Sequence, residues 1–253
     1  MASDGDNLTY PGGKLRLYVE ATLGAGLRVE PDSAQAHYLI HVMRAKAGDR
    51  VGLFNGRDGE WAASVAEVTK RGCVLVCEGR VAEQDRVPDL WLVFAPVKKT
   101  PADYVTQKAT ELGVRVLQPV LTRRTIVRRV NEERMRANAI EAAEQSGRLS
   151  VPEVRAPVEL EKLLAQWPAG RRILFCDEAG QAPAIADALA AGRKDAPWAV
   201  LIGPEGGFDP AERDRIRACD FVTAVSLGAR ILRADTAGLA ALAVWQAILG
   251  DWH

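Results

Sequence analysis

"WAVLIGPEGGFDPAERDRIRA" (Trp198–Ala218) joins an apolar run, a glycine-rich turn and a helix start. An unbroken apolar run, Trp198–Ile202, stops at a glycine. Two further glycines follow, and then Asp209–Pro210, an aspartate able to cap a helix and a proline suited to its first turn. A short apolar strand, a glycine turn and a helix start make the repeating unit of a parallel sheet covered on both faces. A phosphate cradle has the same placement, but the lysine and the Ser/Thr it needs are missing. Glycines here let the backbone approach a ligand and leave N–H and C=O groups free to bond it. Ligands of open α/β sheets sit beyond the carboxyl ends of the strands, where Ile202, Gly203, Pro204, Glu205, Gly206 and Gly207 fall.

The same rhythm runs from Leu90 onward. "LWLVFAP" (90–96), "RVLQPVL" (115–121), "RRILFCDE" (171–178) and "FVTAVSLG" (221–228) read as strands. Between them lie helical stretches. Thr100 is expected at one N-cap with Pro101 after it and Gly113 near the end, and Asn131 caps another helix. "APAIADALAAG" (182–192) is a third, and a last helix starts at about Ala234.

Residues 1–85 read differently. "KLRLYVE" (14–20), "RVGLFNG" (50–56), "EWAASVAEV" (60–68) and "GCVLVCEGRVAE" (72–83) are strands, the middle pair joined by a glycine-bearing hairpin turn. One helix interrupts them, capped by Asp32 or Ser33, with Ala36, Leu39, Ile40 and Val42–Met43 as its apolar side. Short strands around a single helix predict a small barrel. The polar "EQDRVPD" (83–89) marks a boundary, so two domains are expected, 1–85 and 86–253.

Composition narrows the function classes. Of 253 residues, 48% are apolar and 26% charged, an ordinary globular balance. No apolar run approaches the about 18 residues of a membrane helix, and "MASDGDNLTYPGGK" (1–14) lacks a secretory apolar core; the cysteines give no disulfide framework, so a reducing cytoplasm is expected. Cys73, Cys77, Cys176 and Cys219 form no CxxC pair; Cys73 and Cys77 share one face of a strand. His37 and His41 are four apart on the early helix, but no third metal ligand accompanies them, so no metal is expected. Net charge is zero, yet Thr122–Arg136 holds six arginines against two glutamates, which reads either as a solvated helix and loop or as a docking surface for a polyanion.

A second strand end complements the first. "VSLGARILRADTAGLAAL" (225–242) carries Leu227 and Gly228 at the end of a strand, then Arg230, Ile231, Leu232 and Arg233. Two glycine-bearing loops at adjacent strand ends make a two-sided slot, in which Leu227, Ile231 and Leu232 can line a flat aromatic base. Cys176 and Asp177, within "FCDEAG" (175–180), supply a third wall.

"LIGPEGGF" (201–208), "SLGARILRADTA" (226–237), "QKATELGV" (107–114) and "EAAEQSGR" (141–148) together closely resemble the ribosomal RNA small subunit methyltransferase E family of the SPOUT superfamily. "HYLIHVMRAKAGDRVGLFNGRDGEW" (37–61) is similar to that family's PUA-like barrel. The resemblance implies a trefoil-knotted α/β domain with helices on both faces of a parallel sheet. It also implies S-adenosylmethionine as methyl donor and N3 of a uridine in small-subunit ribosomal RNA, naked or in the 30S particle, as acceptor. A homodimer is implied too, and the apolar last helix "LAALAVWQAIL" (239–249) suits either a dimer interface or burial within one subunit. The chain departs from the family pattern at Asp235, usually glutamate, and at Ala229, commonly proline.

Removing the N3 proton calls for a carboxylate, and charge building on the uridine oxygens calls for a guanidinium. Glu205 and the pair Arg230 and Arg233 are assigned to those roles. RNA phosphates are expected at Arg123, Arg124, Arg128 and Arg129, with Gln145, Ser146 and Arg148, and at Arg44 in the barrel. Arg57, Lys98 and Lys99 are further candidates. Two rival readings share this pattern: a SPOUT-type ribose 2′-O-methyltransferase, and a noncatalytic RNA-binding protein.

Overall fold

The computed structural model describes residues 15–69, 72–97, 102–178 and 182–252. Lys14, Lys98, Lys99, Thr100, Pro101, Ala179 and Gly180, named above, lie outside the described residues. The chain groups into two compact units, Met1–Arg86 with Ala143–Val151, and Val87–Ala142 with Pro152–His253.

The first unit is a curled five-stranded sheet in the order β1 (Arg16–Tyr18), β3 (Arg50–Phe54), β4 (Glu60–Val68), β5 (Cys73–Ala82), β2 (Arg28–Val29). Its core gathers Leu17, Val29, Leu39, Val51, Leu53, Val65, Leu75 and both strand cysteines. Period-two alternation in β5 puts Cys73, Leu75 and Cys77 on the buried face. Helix α1 (Ser33–His37) opens with a capping box between Asp32 and Gln35 and continues at Tyr38–Val42 as one π-helical turn. The structure corrects the expected apolar side of this helix. Ala36 and Leu39 are buried, but Val42 and Met43 are 58% and 45% exposed. The wider turn carries them off the core face.

The second unit is a seven-stranded, all-parallel sheet. Its path is β12 (Val222–Val225), β10 (Arg172–Cys176), β11 (Trp198–Ile202), β6 (Leu90–Phe94), β7 (Val116–Leu121), β8 (Glu153–Val154), with β9 (Val158–Glu159) beside β7. Leu90, Leu92 and Phe94 point to one face, and Trp91 and Val93 to the other. Helices α2 (Ala102–Glu111), α5 (Ile185–Ala190) and α7 (Ala234–Ile248) cover the first face. Helices α4 (Leu160–Ala165) and α6 (Pro210–Arg217) cover the second. Burial on both faces explains why these strands read as unbroken apolar runs. Helix α3 (Glu132–Ser146) is capped by Asn131, whose side chain accepts the Arg134 N–H at 3.0 Å. The strand order matters for the site: β11 and β12 flank β10, and after β12 the chain turns back so that α7 packs on β11. Among the described residues no helix is long and apolar enough to cross a membrane.

Candidate functional site

Three parallel strands, β11, β10 and β12, end side by side, and their loops build the site. After β11 the chain closes a tight turn in which the Gly207 N–H donates to the Pro204 carbonyl at 2.9 Å. Gly207 takes φ 65°, and a Cβ there would fall 2.6 Å from Glu178 Oε1. A Cβ on Gly203 would fall 2.7 Å from the Phe208 ring, which folds back edge-on against Phe175 at 5.3 Å. Gly203 is therefore demanded by packing against the Phe208 ring, and Gly207 by its positive φ, since the Glu178 tip can move aside. Helix α6 begins with a capping box, Asp209 accepting the Ala211 N–H at 3.1 Å and Glu212 the Asp209 N–H at 3.2 Å. The cap leaves no such duty for Glu205, which is exposed on the loop.

The loop after β12 is fixed at its root. Ser226 N–H donates to the Pro183 carbonyl at 2.8 Å, and its Oγ accepts the Gly228 N–H at 3.2 Å. Gly228 adopts φ 104°, reserved in practice for glycine. Arg230 is exposed and makes no hydrogen bond or ion pair among the described residues; Ile231 beside it is 85% exposed. Asp235 folds onto the start of α7, accepting the Thr236 N–H at 2.7 Å and pairing with Arg233 at 3.6 Å. The shorter acid at this position thus serves the first turn of its own helix.

Between the loops lies an open cleft of about 550 Å³. It brings together Cys176 and Asp177, the Ile202–Gly207 loop and Leu227, Gly228 and Arg230–Arg233. Burial pushes the Cys176 thiol up to about 12, so it is a neutral wall and no nucleophile. Asp177 is 5% exposed, and Arg213 and Arg217 on α6 hold its carboxylate at 2.9 and 2.6 Å. Its carboxylate is therefore committed to the protein, and the residue offers the cleft its backbone. Arg213, Glu178 and Phe208 also line the cleft and went unread in the sequence. The signal for Arg213 was its spacing of four from Arg217, which places both on one face of a helix.

The arginine run divides in two. Buried Thr122 and Thr125 close a turn, the Thr125 N–H donating to the Thr122 carbonyl at 3.1 Å and the two hydroxyls meeting at 2.9 Å. Arg123 and Arg124, at its tip, have partners inside the unit. Arg123 donates its N–H to Glu212 at 2.8 Å and pairs with Asp209 at 3.0 Å. Arg124 donates to the Gly206 carbonyl at 2.8 Å and lines the cleft. Arg128 and Arg129 are exposed, Arg128 lying 3.8 Å from Glu159.

The remaining candidates belong to the first unit. Arg44 is exposed at φ 55°, the one non-glycine residue with positive φ among those described. Gln145 and Ser146 are exposed at the end of α3. Buried Arg16 clamps that end by donating to the Ala143, Glu144 and Arg148 carbonyls at 2.9, 3.0 and 3.0 Å, with Glu60 as its counter-ion at 3.2 Å. Arg148 donates to Ser150 at 3.2 Å, and Arg57 to the Glu20 carbonyl at 2.9 Å. The His37 and His41 rings lie 4.7 Å apart, and no group of three potential metal ligands occurs among the described residues.

Residues 83–246 match the model of an RNA methyltransferase domain, and residues 31–77 that of an RNA methyltransferase PUA domain. A ribosomal RNA small subunit methyltransferase E of Synechocystis is 34% identical over 86% of this chain and 72% of its own length. The Rickettsia conorii protein of that name is 29% identical over 90% of this chain and 93% of its own. The ribosomal RNA small subunit methyltransferase E of Neisseria gonorrhoeae, solved bound to S-adenosylmethionine, superposes with a TM-score of 0.84 at 27% identity, covering 94% of this chain and 99% of that one. With the first match running through both signature loops and spanning more than half the sequence, the chain belongs to the ribosomal RNA small subunit methyltransferase E family of RNA methyltransferases.

Proposed function

We propose that this protein transfers a methyl group from S-adenosylmethionine to N3 of a uridine in small-subunit ribosomal RNA. The observation that carries the reading is the cleft in which both glycine-bearing strand-end loops meet. Its volume of about 550 Å³ suits a ligand of the donor's size, since small-molecule sites span roughly 300–1,000 Å³. The backbone of Gly203–Gly207 and Leu227–Gly228 would hold the adenosyl part, with Leu227 and Leu232 against its base.

When bound, the donor supplies a methyl group on a sulfonium centre, already activated for in-line displacement. The uridine N3–C bond forms as the sulfur–carbon bond breaks, leaving S-adenosylhomocysteine, and the N3 proton must go to a base. Glu205 accepts that proton, being exposed in the cleft and not engaged in the helix cap. Arg230 or Arg233 faces the uridine oxygens on which charge builds. The rest of the rate comes from holding acceptor and donor in line.

RNA phosphates meet Arg128 and Arg129, and in the barrel of residues 1–85 Arg44; Gln145, Ser146 and Arg148 add hydrogen bonds. Residues 86–253 form the transferase domain, and the return of α7 onto β11 supports a knotted connection there. A homodimer through α7 is part of this reading, supported by Leu239, Val244 and Ile248 being only partly buried. The protein works in the cytoplasm, on ribosomal RNA or the 30S particle.

The test is incorporation of labelled methyl groups into small-subunit ribosomal RNA, naked and within 30S particles, from cells lacking this gene, followed by nucleoside analysis. N3-methyluridine is the expected product. A 2′-O-methylated nucleoside, or no incorporation, overturns the assignment.

A further inference from the structure

We infer that Arg124 couples RNA binding to donor binding, acting as a positioning residue that spans the two. The inference rests on the proposed reading of the cleft and of the arginine run. One Nη of Arg124 donates to the Gly206 carbonyl at 2.8 Å, and the side-chain stem covers Gly206, its Cδ 3.8 Å from where a Cβ would stand. Gly206 belongs to the turn closed by the Gly207 N–H on the Pro204 carbonyl. Arg124 thus ties the arginine run to the glycine loop, whereas Arg123 beside it ties the run to the start of α6.

Two features make Arg124 suited to transmit binding. A guanidinium carries five N–H donors in a flat fork, of which the Gly206 carbonyl takes one. The side chain is exposed, so a phosphate oxygen pair can take the outward edge while the inward edge keeps Gly206. The turn beneath it is rigid, because buried Thr122 and Thr125 lock it through backbone and hydroxyl hydrogen bonds. A phosphate there fixes the fork and strengthens its hold on the loop. RNA therefore raises donor affinity, and the donor raises RNA affinity by the same factor.

Lysine keeps the charge but offers a point donor in place of a fork, so Arg124→Lys separates bridging from simple attraction. The experiment titrates the unreactive donor analogue sinefungin by calorimetry, with and without saturating RNA, as a transcript of small-subunit ribosomal RNA or as the 30S particle. Wild type is expected to bind the analogue at least about fivefold more tightly with RNA, a modest allosteric factor. In Arg124→Lys the ratio falls to about one, while Arg193→Lys, at an exposed position outside both the cleft and the arginine run, keeps the wild-type ratio. Thermal unfolding verifies that both variants fold. Binding of RNA and analogue without coupling in wild type, or coupling that survives in Arg124→Lys, overturns this inference alone. Failure of wild type to bind the analogue, or to bind both the transcript and the 30S particle, overturns the proposed reading of the cleft and the arginine run, and the inference with it.

Discussion

Asp177 Oδ1 lies 2.9 Å from Arg213 Nε, and the Arg217 guanidinium reaches the same carboxylate at 2.6 Å. The side chain of Asp177 is 3% exposed, against 26% and 37% for the two arginines. One buried acid at the end of β10 thus anchors the first two turns of α6, and with them the glycine loop that leads into the helix. Asp177→Asn leaves two cations without their counter-charge. Because the arginines keep partial access to water, the expected loss is about 1–3 kcal/mol rather than the larger figure for a fully buried pair. Thermal unfolding would show a drop of several degrees. An unchanged midpoint would mean that the clamp does not hold α6.

Gly207 holds the one left-handed backbone conformation of the Gly203–Gly207 loop. Alanine there must adopt φ 65° and place its Cβ 2.6 Å from Glu178 Oε1. Left-handed backbone alone costs a non-glycine residue about 1–2 kcal/mol. Gly207→Ala is expected to weaken S-adenosylmethionine binding at least about tenfold by calorimetry, the equivalent of that strain. Affinity within twofold of wild type, on a folded protein, would show that the loop backbone does not hold the donor.

Glu205 has the simplest chemical test. Glu205→Gln keeps size and hydrogen bonding but cannot accept a proton. Single-turnover methylation is expected to fall by about 10²-fold or more, within the range ascribed to general base catalysis, at unchanged donor affinity. A rate above a tenth of wild type would remove Glu205 as the base.

Arg128 and Arg129 stand clear of the cleft and are exposed. Reversing both charges, Arg128→Glu with Arg129→Glu, is expected to weaken RNA binding and to leave donor affinity, measured without RNA, as it was. Every phosphate that is no longer neutralised flattens the salt dependence by about 0.7–0.9 in the log–log slope. A slope equal to that of wild type would place the RNA elsewhere.

The sheet was legible because β6, β10 and β11 are buried on both faces and so read as apolar runs. The two-residue strands β2, β8 and β9 carry too little pattern to be seen. Val42 and Met43 were misplaced because sequence spacing assumes one helical pitch, and the pitch widens at Tyr38. At the site, glycines between a strand and a helix marked where the cleft would be. Side-chain destinations were less accessible. Arg123 and Arg124 looked like members of one basic run, yet their partners Glu212, Asp209 and Gly206 lie more than 80 residues away in the chain. Asp177 read as a cleft wall, and the arginines that occupy it come from a helix whose approach only the fold defines.

In the proposed function the Gly203–Gly207 and Leu227–Leu232 loops together hold the methyl donor. A crystal structure of the protein soaked with S-adenosylmethionine tests it most directly. The adenine is expected between the two loops, with main-chain N–H and C=O groups of both within hydrogen-bonding distance. Density for the donor at any other place, or contact with only one of the two loops, would contradict it.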